Sequence, residues 1–205
     1  MIDYAIQLNT NEFREVVKKI VIGVEEIVET GTFHGNGSTQ VFANTGKYVF
    51  SIECNYNNFV ISSKNLHKYD NVCVVHGLSL NKTDLIRGLL QESFDISTTY
   101  DSKFPKTFYM REISHQVVLE NALDVFCNND RRQLIFLDSA GGVGYLEYKW
   151  LMSIPDDFLR KKIIMLDDIS HIKHYRSVKD LINRGFQVNI SKDNRFAWVD
   201  MNQGC

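Results

Sequence analysis

Hydrophobic positions alternate between two periods along the chain. Thr10 or Asn11 precedes Glu12, and apolar residues follow at Phe13, Val16, Val17, Ile20 and Val21. That is the i, i+3, i+4 spacing of a helix with one buried face, predicted over about 10–21. Short β-branched and leucine-rich runs then recur at 27–29, 48–53, 71–76, 134–138 and 163–167. Each reads as a strand buried on both faces. Helical spacing between and after them predicts helices at 38–44, 57–68, 83–92, 112–127, 146–153 and 175–184. Residues 94–111 break the pattern, being polar, irregular and aromatic, with Tyr100, Phe104, Phe108 and Tyr109. They are expected to overhang a crevice as a lid-like insertion, together with 141–145. Their rings would line a substrate pocket, bury the lid against the body, or form a dimer contact.

Strands alternating with helices imply a mostly parallel sheet covered on both faces. The last two runs, 186–190 and 195–201, are separated by Ser191, Lys192, Asp193 and Asn194 alone. Four residues cannot hold a helical crossover, so these runs must form an antiparallel hairpin. The expected fold class is therefore α/β: a seven-stranded, mostly parallel sheet closed by a C-terminal hairpin. With two prolines and 12 glycines there is no Pro/Gly-rich linker, so residues 1–205 read as a single domain.

Charge and composition narrow the partners. A net charge of −2 argues against a surface built for phosphate backbones, so no nucleic acid is expected. No apolar run approaches the ~20 residues of a membrane helix, so no membrane is expected either. The opening Met-Ile-Asp-Tyr-Ala-Ile-Gln lacks a secretory-signal profile, and the four cysteines form no C-x-x-C pair. A cytoplasmic protein with free thiols is the expectation. Whether the chain is a homodimer stays open.

Chemistry concentrates where the first strand ends. Ile27-Val28-Glu29-Thr30 runs into glycines at 31, 35 and 37, and the second strand closes on Glu53. This is half of a nucleotide-binding βαβ unit, with turn glycines that admit a close ligand and an acid placed for ribose hydroxyls. Gly37-Ser38-Thr39 lacks the lysine of a P-loop, and the glycine spacing is not G-x-G-x-x-G. Glu29 would repel a pyrophosphate but suits a cationic group. S-adenosylmethionine offers an ammonium, a sulfonium and a ribose.

Residues 29–38, Glu-Thr-Gly-Thr-Phe-His-Gly-Asn-Gly-Ser, resemble the first motif of the class I S-adenosylmethionine-dependent methyltransferases. Glu53 matches that family's ribose acid, and the hairpin matches its topology. The resemblance covers about residues 25–201. It implies a Rossmann-like fold with S-adenosylmethionine held by Glu29, Gly31, Thr32, Phe33, Gly35, Gly37, Ser38, Glu53, Gly77 and Asp138. After the third strand the chain departs from the pattern: Leu78 stands where an acid is common, so adenine recognition would rest on packing and backbone contacts.

Asp138 ends the fourth strand, and Asp167 and Asp168 end the fifth. Parallel neighbours bring these ends together, and three carboxylates there would repel unless a cation lies among them. Asp138, Asp167 and Asp168 could hold Mg²⁺, as in the metal-dependent small-molecule O-methyltransferases that this arrangement resembles. Equally, Asp138 would only mark the strand end while Asp167 and Asp168 cap the next helix. No titratable side chain follows Asp138 until Tyr145, so a general base would come from Ile169-Ser170-His171-Ile172-Lys173-His174, with His171 preferred, and Asp138 is the other catalytic candidate. Leu137-Asp138-Ser139-Ala140 is not the Asn/Asp-Pro-Pro-aromatic motif of base N-methyltransferases. The expected function is methylation of a small-molecule oxygen, of sugar or natural-product type. A non-catalytic cofactor-binding protein and a protein methyltransferase are the alternatives.

Overall fold

The computed structural model describes residues 8–92 and 106–203, apart from the side chains of Lys106 and Phe108. Expectations about Tyr100, Phe104 and the Phe108 ring lie outside the described residues. Five apolar runs form parallel strands: β1 (Glu26–Thr30), β2 (Tyr48–Glu53), β3 (Val72–His76), β4 (Gln133–Leu137) and β5 (Lys162–Asp167). β7 (Phe196–Asp200) runs antiparallel to β5 and pairs with β6 (Asn189–Ile190). The seven strands lie in the order β3-β2-β1-β4-β5-β7-β6.

Alternation along each strand explains the continuous apolar runs. Ile27, Leu134, Phe136, Ile163 and Met165 face one side, against Phe13 and Val17 of α1 (Asn11–Ile20) and Phe42 of α2 (Ser38–Ala43). Val28, Ile135, Leu137, Ile164 and Leu166 face the other. They meet α4 (Lys82–Gln91), α7 (Gly142–Leu151) and α9 (Tyr175–Asn183) through Leu85, Leu89, Leu146, Leu151, Val178 and Leu181. Each such buried side chain stabilises the fold by about 1.5–3 kcal/mol before entropy is counted. Thr10 caps α1, its Oγ1 accepting the Phe13 N–H at 3.2 Å. α3 (Tyr56–Leu66) follows β2, with Asn55 as its cap.

Four boundaries differ from expectation. Of the helix predicted over 112–127 only α6 (Ala122–Cys127) forms, while α5 (Lys106–Glu112) lies almost wholly in the stretch 94–111 expected to be irregular. The segment between them is drawn to the end of β3 instead. Val118 N–H donates to His76 O at 3.2 Å, and Leu78 N–H donates to Leu119 O at 2.9 Å. α7 starts at Gly142, four residues before the predicted 146, so 142–145 are its first turn and not an overhanging loop. A four-residue helix, α8 (Asp156–Leu159), has too few residues to carry a period. β6 keeps only two of the residues expected over 186–190, because Phe186 N–H closes α9 by donating to Leu181 O at 3.1 Å.

Among the described residues, no helix is long and apolar enough to cross a membrane, and Cys54, Cys73 and Cys127 are free.

Candidate functional site

Strand order reverses between β1 and β4, the switch point where open α/β sheets leave a crevice at their carboxyl ends. A cavity of about 500 Å³ lies there. The turn after β1 contributes Gly31, Thr32, Phe33, Gly37 and Ser38, β2 contributes Glu53, and the residue after β3 is Gly77. Asp138 follows β4; Asp167, Asp168, His171 and Lys173 come from the end of β5 and the loop beyond it. Leu78, Leu85, Tyr109 and Val143 supply apolar walls. A second hollow of about 550 Å³, lined by Arg14, Lys18, Gln40 and Asn44, lies beside α1 and α2, away from the strand ends.

The turn after β1 needs its first glycine for two reasons. Gly31 has φ +82°, and a Cβ there would sit 2.6 Å from the Asp138 carbonyl oxygen. β1 and the β4 loop therefore approach more closely than any side chain allows. Phe33, at φ +51°, carries a left-handed backbone without being glycine, a strain typical of ligand-holding turns. Gly35 serves the fold instead. Its missing Cβ makes room for Leu66 of α3, and it does not line the cavity.

Glu53 is 6 % exposed and lines the cavity. Its Oε2 accepts the Phe33 N–H at 2.7 Å and its Oε1 the Asn55 N–H at 2.8 Å. Those donors orient both oxygens and leave lone pairs for a ligand's hydroxyls. Burial pushes the carboxyl up to about 7, against the pull of the Asn55 and Phe33 N–H groups.

Glu29 does not reach the cavity, which corrects its expected role. It is fully buried, and its carboxyl accepts from three hydroxyls: Ser38 on Oε1, Thr39 at 2.6 Å and Ser51 at 2.6 Å on Oε2. Burial raises its pKa, partly offset by those bonds. Glu29 thus ties α2 and β2 to β1 and shapes the turn from beneath, with no geometry to grip a ligand's ammonium. Ser38 spends its hydroxyl in the same bond.

The three aspartates meet as expected, with ligand-type oxygens within 4.8 Å of one another. Sequence reasoning missed the cations among them. Lys173 Nζ lies 2.5 Å from Asp138 Oδ1, 3.0 Å from Asp168 Oδ2 and 3.6 Å from Asp167 Oδ2. Arg195 grips Asp167 with Nε at 2.9 Å and a terminal nitrogen at 3.1 Å, and meets Asp168 Oδ1 at 3.0 Å. Burial alone would raise the Asp167 pKa, but Lys173 and Arg195 outweigh it and lower it. Asp138 goes the other way, raised by burial and by its two acidic neighbours. The same carboxylates hold Lys173 and Arg195 firmly charged against burial. A divalent ion does not fit this donor set, because the space between the oxygens already holds an ammonium.

His171 lines the cavity, but its Nδ1 accepts the Lys173 backbone N–H at 3.2 Å. That bond engages the Nδ1 lone pair and so competes with the general-base role expected of His171. Asp168, with φ +51°, is the second strained non-glycine residue at the cavity.

Support comes from Glu147, which sequence reasoning passed over, and from His174, which it named only as part of the segment that could supply a base. Glu147 of α7, fully buried, accepts from Thr30 Oγ1 at 2.9 Å and Ser139 Oγ at 2.6 Å, and Thr30 Oγ1 in turn accepts the Asp138 N–H at 3.1 Å. Burial pushes Glu147 up to about 7 despite the Ser139, Ser79 and Thr30 hydroxyls. His174 pairs Nε2 with Leu137 O at 3.1 Å and Nδ1 with Ser177 Oγ at 3.2 Å. Burial and the nearby Lys173 charge push it down to about 3, so it is a neutral strut under Asp138. A single acid in a helix otherwise mostly apolar and aromatic, as Glu147 is in α7, was the available signal.

No protein-family profile matches the sequence, and no curated protein does. Solved structures do match in fold. A candidate caffeoyl-CoA O-methyltransferase from Staphylococcus aureus superposes at TM-score 0.56 with 13% identity, over 94% of this chain and 84% of its own. An O-methyltransferase from Bacillus cereus in complex with S-adenosylhomocysteine gives 0.53 and 15%, over 93% and 81%. The S-adenosylhomocysteine-bound methyltransferase PaMTH1 from Podospora anserina gives 0.51 and 14%, over 91% and 74%. The chain thus has the Rossmann-like fold of the class I S-adenosylmethionine-dependent methyltransferases.

Proposed function

We propose that the protein binds S-adenosylmethionine in the cavity over the strand ends and transfers its methyl group to an oxygen of a small molecule. One observation carries this reading: Glu53, its two oxygens aimed by the Phe33 and Asn55 N–H groups, faces the glycine turn after β1 from the end of the neighbouring β2. That geometry suits the paired hydroxyls of a ribose. Gly31, Thr32, Phe33 and Gly37 would carry the amino-acid part, and Gly77 and Leu78 the adenine edge. Lys173 and Arg195 are each ion-paired with Asp167 and Asp168, so the cluster presents no unpaired positive charge to repel a sulfonium beside it.

The acceptor approaches from the side of Tyr109, Val143 and Asp168. In the transfer, the acceptor oxygen attacks the methyl carbon in line and the sulfur leaves with its bonding pair. Asp138, at the end of β4, takes the hydroxyl proton. Incubation with radiolabelled S-adenosylmethionine and a panel of sugar and phenolic hydroxyl compounds tests this. Label appearing in a new product separated from S-adenosylmethionine by chromatography supports transfer. Tight cofactor binding with no labelled product from any acceptor favours a cofactor-binding protein without methyl transfer.

A further inference from the structure

We propose that Lys173 is a built-in counter-ion standing where metal-dependent methyltransferases would hold a divalent cation, so that this chain works without a metal and without a chelating acceptor. The ammonium lies among Asp138, Asp167 and Asp168 at 2.5, 3.6 and 3.0 Å. Mg²⁺ takes its oxygens at about 2.0–2.1 Å, so an ion bound to the same carboxylates would sit on top of Nζ. Two cations at that separation exclude each other.

Lys173 has little room to leave. Its side chain is 9 % exposed, its Nζ also meets the Asp138 carbonyl oxygen at 3.4 Å, and its backbone N–H is fixed on His171. Arg195 holds Asp167 through two nitrogens and touches Asp168 as well, occupying further oxygen positions that an ion would need. The acceptor consequence rests on the methyltransferase reading above. A bound metal draws in two adjacent oxygens and acidifies one of them. A lysine whose N–H groups are all directed to carboxylates and a carbonyl offers no such pair of open positions. The acceptor is therefore held by hydrogen bonds at a single nucleophilic atom, and adjacent hydroxyls give it no advantage.

Mn²⁺ binding, read by electron paramagnetic resonance on the full-length chain, tests the counter-ion directly and needs no methyl transfer. The wild type is expected to hold no stoichiometric Mn²⁺ at millimolar concentration. Lys173→Met is expected to gain a site at least ~10-fold tighter than any in the wild type, and to gain thermal stability on adding Mn²⁺, as the wild type does not. Stoichiometric binding by the wild type that Asp167→Asn abolishes overturns the proposal, as does a folded Lys173→Met that gains nothing. Should Lys173→Met fail to fold, the wild-type titration alone decides. A metal-free wild type that also fails to bind S-adenosylhomocysteine would sink the methyltransferase reading while leaving the counter-ion standing.

Discussion

Lys173 Nζ and Asp138 Oδ1 face each other at 2.5 Å across the loops that follow β5 and β4, joining two chain segments 35 residues apart. The pair sits on the wall of the cavity, with side chains 9 % and 14 % exposed. Removing one partner of such a pair leaves the other charge stranded, which costs about 3–5 kcal/mol. Lys173→Met should therefore lower the urea midpoint of unfolding sharply in metal-free buffer. A change of under ~1 kcal/mol would mean that the pair is solvated and holds nothing together.

Glu53 sets the pH dependence of cofactor binding. Burial places its carboxyl at about 7, and ribose hydroxyls donate to the ionised form. S-adenosylhomocysteine should bind more tightly as pH rises through about 7, and the trend should vanish in Glu53→Gln. Charge-assisted bonds of this kind are worth about 1.5–3 kcal/mol, so the variant should lose roughly 10- to 150-fold in affinity at pH 8. Calorimetry across pH checks both statements.

Glu147 gives a stability effect of definite sign. Its carboxyl moves from an ordinary 4.5 to about 7 on folding, so between those values the folded state holds more protons than the unfolded one. Stability from this group is present below 4.5 and lost as pH rises to about 7, by about 3 kcal/mol in all. Glu147→Gln stays neutral and should flatten that fall. Urea unfolding of wild type and variant between pH 5 and 8 measures the difference. Parallel slopes would show that Glu147 ionises in both states alike.

The centre of the sheet was legible because β1, β4 and β5 are buried along their whole length, which writes continuous runs such as Leu134–Leu137 and Ile163–Leu166 into the chain. The hairpin followed from a four-residue gap. Positions resting on a single long-range contact were not legible. Leu119 pairs with Gly77 through backbone alone, so nothing in its side chain warned that the helix predicted over 112–127 would break. Arg195 reaches Asp167 because β7 runs antiparallel to β5 in one register, with Asp167 opposite Phe196, and spacing along the chain does not carry register. Glu29 was misread because its neighbours Ser38, Thr39 and Ser51 look like turn and strand polar residues until the fold points all three hydroxyls at it.

Gly31 should tolerate no side chain. Alanine there meets the Asp138 carbonyl oxygen at 2.6 Å and must hold φ near +82°, two penalties that together cost about 2–4 kcal/mol or force the loop after β4 away. Gly31→Ala should lose cofactor binding along with stability, whereas Gly46→Ala, with φ +73° but open space around it, should lose only ~1 kcal/mol and keep binding. Thermal melts with and without S-adenosylhomocysteine separate the two.

Isothermal titration of the wild-type chain with S-adenosylhomocysteine, set beside NAD, goes to the heart of the account. Saturable binding of one S-adenosylhomocysteine per chain near the micromolar range, weakened at least ~10-fold in Glu53→Ala, is the predicted result. Binding of NAD with none of S-adenosylhomocysteine would contradict it.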